Sequence, residues 1–204
     1  MPRVSQQQTD KNRIAIEDAS SRLFREKGLN GVSVADLMAA AGLTHGGFYG
    51  HFASKDGLAA VACGKAFEQS TSRWAQRFAA LPDAAARRRS YVENYLSPSN
   101  RDRPGNGCPA AGLAGDVARE PMDRPVRAAY LDGLKGMVRR VTSIAPDARD
   151  ADEVRPLALV EMATLVGALV LARATRGDPL SDEILQSVRT HLLADLAPHE
   201  GLPS

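Results

Sequence analysis

The chain has 204 residues, 44% apolar and 25% charged, which is enough for one or two domains with a real core and too ordinary to be disordered or fibrous. Aromatics make up only 5% while alanine is abundant, which favours close-packed helices over sheet. A formal net charge of +2 permits a nucleic-acid partner without arguing for one, and two cysteines are too few for a disulfide framework and suit a reducing cytoplasm.

Residues 1–9 are polar and lack the apolar stretch of a secretory signal. A helix is expected from about Asp10 to Lys27, with Ile16, Ala19, Leu23 and Phe24 on one face and Gly28 ending it. From Ser33 to Phe52 the pattern is two short helices joined by a tight turn. Ser33 and Asp36 are spaced as a capping box, and Val34, Leu37, Met38 and Ala41 make an apolar stripe. Gly42 stands where that helix must stop, and Thr44 is placed to cap the second. Phe48 and Phe52 then face inward, leaving His45, Gly46, Tyr49 and His51 outward. This is a helix-turn-helix pattern. Its glycines, at positions 46, 47 and 50, each cost roughly 1 kcal/mol of helix propensity, a poor choice unless the surface is shaped for close approach to a duplex groove. Thr44, Tyr49 and His51 can donate to phosphate oxygens, with Arg3, Lys11, Arg13 and Lys55 at the rim.

Ser54 opens a long helix to about Ala80, carrying Leu58, Val61, Ala62, Phe67, Trp74 and Phe78. Further helices are expected over 84–96, 108–119, 124–144, 152–175 and from Ser181, where Ser181 acts as the cap. The stretch from Ser97 to Gly107 is polar, rich in proline and glycine, and expected as a loop. Arg87, Arg88 and Arg89 spread around more than one helix face and are expected to be solvated. Cys108 sits at a helix N-terminus, where the dipole lowers a thiol pKa; it is either a sensing thiol or a small packed residue. The longest apolar run, Leu157 to Ala172, is interrupted by Glu161 and Thr164 and falls short of the ~20 residues of a membrane span. The helix containing it is apolar nearly all round and therefore expected to be covered on every side. With the last helix it is expected to form a homodimer interface through Leu165, Leu169, Ile184, Val188 and Leu192. Two copies would hold recognition helices about 34–36 Å apart, matched to a palindrome.

The run Thr44-His45-Gly46-Gly47-Phe48-Tyr49-Gly50-His51-Phe52-Ala53-Ser54-Lys55-Asp56-Gly57-Leu58, after Val34-Ala35-Asp36-Leu37-Met38-Ala39-Ala40-Ala41-Gly42-Leu43, resembles the DNA-binding signature of the TetR family of bacterial transcriptional regulators. The resemblance covers about the N-terminal quarter. It implies an all-α fold, with a helix-turn-helix domain over 1–58 (motif 33–52) and a helical effector-binding and dimerisation domain over 59–200. It also implies a double-stranded DNA operator, contacted through Ser33, Thr44, His45, Gly46, Gly47, Tyr49, His51 and Lys55. An effector cavity in the C-terminal bundle would draw on Phe67, Trp74, Cys108, Leu113, Met122, Tyr130 and Met137. The expected function is a cytoplasmic, homodimeric repressor released from DNA by an unknown small-molecule effector, or alternatively by oxidation or an electrophile at Cys108. An enzyme is the competing class. The four histidines fall in two remote pairs, His45 with His51 and His191 with His199, without HExxH, Cys-x-x-Cys or a nucleophile elbow. No catalytic residue, metal site or cofactor is expected.

Overall fold

α1 runs over Gln6–Lys27, starting earlier than its apolar periodicity indicates, because Gln8 and Asn12 bond to each other at i, i+4 (2.8 Å) and carry the helix through a polar stretch. The structure, a computed structural model, describes residues 6–145 and 151–194. Arg3, Leu196 and His199 lie outside them. The other elements are α2 (Val34–Ala40), a 3₁₀ segment (His45–Gly50), α3 (Lys55–Ala79), α4 (Ala84–Tyr95), α5 (Pro98–Asp102) and a 3₁₀ turn (Pro104–Asn106). After these come α6 (Pro109–Arg119), α7 (Pro125–Ser143), α8 (Ala151–Ala174) and α9 (Pro179–Leu193). The protein is all-α, as its alanine-rich, aromatic-poor composition indicates.

Contacts group the described residues into two compact units, the first formed by those up to 74 with 103–136, the second by 75–102 with those from 137 on. In the first, Ile16, Phe24, Leu37, Met38, Phe48 and Leu58 form the core. Arg25 lies among them, only 4% exposed. Its Nε donates to the Ser21 carbonyl (2.9 Å), Nη1 to the Gly107 carbonyl (3.0 Å), and Nη2 to Ser21 Oγ (3.2 Å) and Gln69 Oε1 (3.3 Å). One buried guanidinium thus ties α1 to α3 and to the segment before α6. Gly28 ends α1 with φ +79°, and the Leu29 N–H donates to Asp116 Oδ2 on α6 (3.0 Å). A Cβ on Gly28 would stand 2.6 Å from that oxygen, so glycine is required by both backbone and space. At the corner between α6 and α7, Arg127 Nη1 donates to the carbonyls of Val117 (2.9 Å) and Glu120 (2.7 Å), while Arg124 pairs with Asp56 at the start of α3.

In the second unit, α8 packs along α9 and also meets α4 and α5. Four expectations are corrected here. The stretch 97–107 is not a plain loop. Ser97 Oγ accepts from the Asn100 N–H (3.2 Å) and Pro98 supplies a ready first turn, so α5 forms. Arg173 from α8 then donates to the carbonyls of Asn100 (2.9 Å) and Arg101 (3.3 Å), a long-range support that local pattern does not reveal. α9 is capped by Asp178, whose Oδ1 accepts from Leu180 N–H (2.9 Å), because Pro179 moves its start upstream. Ser181 is instead buried and donates to the Ala172 carbonyl (2.7 Å).

Arg88 is not solvated. Its side chain is 8% exposed, and its Nε pairs with Glu161 Oε2 at 3.2 Å. The fourth correction concerns α8. Leu165 and Leu169 are fully buried within their own chain and Leu192 nearly so, while Ile184 and Val188 stay half-exposed. An all-round apolar helix has two apolar faces, and this unit covers the one with Leu165 and Leu169. The other face carries Val160 (64% exposed), Ala163, Gly167, Val170, Leu171 (56% exposed) and Ala174. By length and composition, Glu153–Ala174 (22 residues, mean hydropathy 1.9) could cross a membrane, a longer stretch than the Leu157 to Ala172 run. Its ion-paired Glu161 and its packing on α9 are those of a helix within a protein bundle.

Candidate nucleic-acid interface

The capping box of α2 is complete. Ser33 Oγ accepts from Asp36 N–H (3.1 Å), and Asp36 Oδ2 accepts from the Ser33 N–H (2.9 Å) and hydroxyl (2.6 Å). The Ser33 hydroxyl, then its N–H, hold the Asp36 carboxyl below the usual carboxylate range. Ser33 is therefore engaged as a helix cap, and a contact to DNA through its hydroxyl would compete with that bond. The other end of α2 is a full Schellman motif. Gly42, at φ +73°, donates to the Ala39 carbonyl (3.0 Å) and Leu43 to the Met38 carbonyl (2.9 Å).

Beyond this turn, the expected second helix is a 3₁₀ segment. Its three glycines weaken α-helical propensity, and the chain closes with i→i+3 bonds such as Gly47 N–H to Thr44 carbonyl (3.1 Å) and His51 N–H to Phe48 carbonyl (2.9 Å). Thr44 has N-cap backbone geometry but makes no side-chain capping bond, contrary to expectation. Phe48 and Phe52 are buried and stacked, with ring centroids 6.1 Å apart. They anchor a segment whose other residues, Thr44, His45, Gly46, Gly47, Tyr49 and Gly50, are all exposed. Tyr49 is 75% exposed, with its ring edge-on to Phe48 at 5.2 Å. A Cβ built on Gly46 or Gly50 meets nothing within 4 Å, and one on Gly47 only the Met38 methyl at 3.6 Å. The chain's own packing does not require these glycines.

His51 and Arg13 differ from expectation. His51 is half-buried, and its Nδ1 is buried without a hydrogen-bond partner. Its carbonyl accepts from Arg13 Nη1 at 2.8 Å. The Arg13 guanidinium also lies 4.4 Å from the centre of the Phe52 ring and pairs with Glu17 at 3.1 Å. Arg13 is thus a strut from α1 to the end of the recognition segment, a role with no local sequence signature. Lys11 is exposed and Lys55 half-buried at the start of α3, where Ser54 Oγ accepts from Gly57 N–H (3.0 Å). The arrangement offers hydroxyl, imidazole and ammonium donors around a strip of bare backbone, which suits a phosphate-lined groove.

The residues expected around an effector are dispersed. Phe67 and Tyr130 meet edge-to-face at 5.7 Å, and Tyr130 Oη donates to the Ala110 carbonyl (3.2 Å). A Cβ on Gly133 would come within 2.2 Å of the Phe67 ring, so this part of the first unit is tightly packed. Cys108 and Leu113 are buried in the same unit, where Trp74 is half-buried, and Met137 is buried in the second. Met122 is 82% exposed and lines no interior space, because it lies in the corner between α6 and α7. Burial pushes the Cys63 thiol up to about 12, the setting of an inert packed cysteine. Among the described residues, no group of three or more His, Cys, Asp or Glu side chains is placed to hold a metal ion.

Comparison with known proteins bears on this geometry. Residues 16–62 match the model of the bacterial regulatory proteins, tetR family. Over 58 residues, 28% of this chain, the sequence is 36% identical to the HTH-type transcriptional regulator AcrR of Shigella flexneri, and the match spans 27% of that relative's length. The fold is similar to that of a TetR-family regulator from Cytophaga hutchinsonii (24% identity, 95% of this chain and 98% of that one, TM-score 0.76). A TetR transcriptional regulator from Chloroflexus aurantiacus is likewise similar (26% identity, 94% and 97% covered, TM-score 0.75). So is the reduced form of E. coli NemR (19% identity, 89% and 94% covered, TM-score 0.74).

Proposed function

The chain belongs to the TetR family of bacterial regulatory proteins, and from that premise we propose that it is a cytoplasmic, homodimeric DNA-binding transcriptional regulator. In this reading it is a repressor that leaves a palindromic operator when a small effector binds. One observation carries the reading: an outward strip of Thr44, His45, Tyr49 and three glycines whose smallness answers to nothing inside the chain. We assign DNA contact to residues 1–58, through Thr44, His45, Gly46, Gly47, Tyr49 and Lys55, with Ser33 and His51 at the margin. Effector binding and dimerisation fall to 59–200. A mobility-shift titration on the intergenic DNA beside the gene tests the reading. A salt-sensitive complex is expected; if no fragment is retained even at low salt, the reading fails.

The second copy is proposed to cover the outer face of α8, together with Leu180, Ile184 and Val188 of α9. That face is apolar and exposed, and a Cβ on its Gly167 would meet nothing within 4 Å, which leaves room for a second helix to come close. Leu171→Glu should convert the protein to monomers in sedimentation and weaken operator binding at least tenfold, because single recognition segments lose the second half-site. A dimer unchanged by Leu171→Glu would rule that face out.

A second reading keeps DNA binding but places the trigger at Cys108. The Cys108 side chain stands at the N-terminus of α6. Cys108→Ser should then hold the operator under peroxide or a quinone while the parent lets go. A variant that responds like the parent removes the thiol from the mechanism.

A further inference from the structure

We propose that the cleft between α4, the end of α7, α8 and α9 is a ligand site for an uncharged amphiphile, and that binding there controls the DNA-binding activity. The second half of this rests on the regulator reading above. The cleft has a volume of about 250 Å³. Its apolar walls include Val141, Val154, Leu157, Ala158, Leu192 and, at its open side, the exposed Val160, with the Arg88–Glu161 pair among them and His191 at an exposed position. That size and lining suit a small ligand with an apolar body held by a few polar groups.

The polar groups decide the ligand's chemistry. Arg88 and Glu161 share a single contact, Nε to Oε2, at 3.2 Å. Arg88 Nη1 and Glu161 Oε1 are both buried and both without a hydrogen-bond partner. The Arg88 side chain is 8% exposed and that of Glu161 14%. Two such orphaned groups, one donor and one acceptor, are costly. Thr164, the remaining polar lining residue apart from His191, spends its hydroxyl on the Val160 carbonyl (2.8 Å). A ligand that completes the site must accept from Arg88 Nη1 and donate to Glu161 Oε1. A carbonyl or hydroxyl oxygen meets the first need, and an amide N–H or hydroxyl the second. A carboxylate could accept from Arg88 but has no proton for Glu161, and an ammonium could donate to Glu161 but has no lone pair for Arg88. An aliphatic amide or alcohol of modest length is the class that fits.

Calorimetric titration of the full-length protein with octanamide, octanoate and octylamine tests this, since the three share one apolar body and differ in charge. Octanamide should bind at least tenfold tighter than either charged probe. Arg88→Met and Glu161→Gln should each weaken it at least fivefold. The double variant R88M/E161M, which replaces a buried pair by apolar groups of similar volume and so keeps the fold, should lose the preference among the probes. Equal or tighter binding of octanoate or octylamine overturns the proposal, as does the absence of octanamide binding to folded parent protein. A double variant that retains the octanamide preference overturns it too. If R88M/E161M changes dimer dissociation and leaves octanamide binding intact, the pair belongs to the interface and the proposal falls. In a mobility shift, octanamide should raise the operator dissociation constant at least threefold for the parent and not for R88M/E161M. Retained DNA that ignores octanamide overturns control through this site. A protein that retains no DNA at all fails the regulator reading, while the titration still judges the cleft.

Discussion

Alanine at both Gly46 and Gly50 is expected to leave the protein at least as stable as the parent and to reduce operator affinity at least tenfold. Neither glycine has positive φ, so alanine can take the backbone as it stands, and neither added Cβ meets an atom within 4 Å. Each replacement should add up to about 1 kcal/mol in a helical segment. Both positions lie on the exposed strip that also carries Tyr49 and His45, where added methyl groups would stand between protein backbone and duplex. A melting curve and a mobility shift on the same preparation decide the matter. Unchanged affinity with raised stability would mean that the duplex does not approach this strip.

The largest loss of stability from a single polar side chain is expected at Arg25. In Arg25→Met the volume is roughly kept, but the Gly107 carbonyl loses its buried donor, and Gln69 Oε1 keeps only the longer bond from Ser21 Oγ (3.4 Å). An orphaned buried acceptor costs about 1–3 kcal/mol, so urea unfolding should register a loss of about that size. Gln69 also accepts from Ser21 and donates to Asp18 (2.9 Å), and its position should loosen with the loss of Arg25. A loss below about 1 kcal/mol would show that the network is no stronger than an exposed ion pair.

The helix-turn-helix was legible because its signals are local. Ser33 and Asp36 are three residues apart and cap the same turn they sit on, and Gly42 stops α2 by its own φ. Phe48 and Phe52 had to face one way because the spacing of a helical turn makes them neighbours. The same local reasoning failed where the partner is far along the chain. Arg13 looked like a free cation beside the DNA and is held by the carbonyl of His51. Arg88, in a run of three arginines, meets Glu161 on another helix. Ser181 had the form of a cap and faces the carbonyl of Ala172.

The amino-acid order alone determined the helical class, the recognition segment and which of its residues are bulky anchors, because backbone propensity, capping and short-period apolar spacing act within a few residues. Tertiary structure decided which apolar face of α8 is spent inside the chain: Leu165 and Leu169 are buried, while Val160 and Leu171 remain exposed. It also decided which arginines are buried and what they hold. A helix that is apolar all round carries no preference of its own for one side, and a long guanidinium side chain takes whichever acceptor the packed neighbours bring within reach.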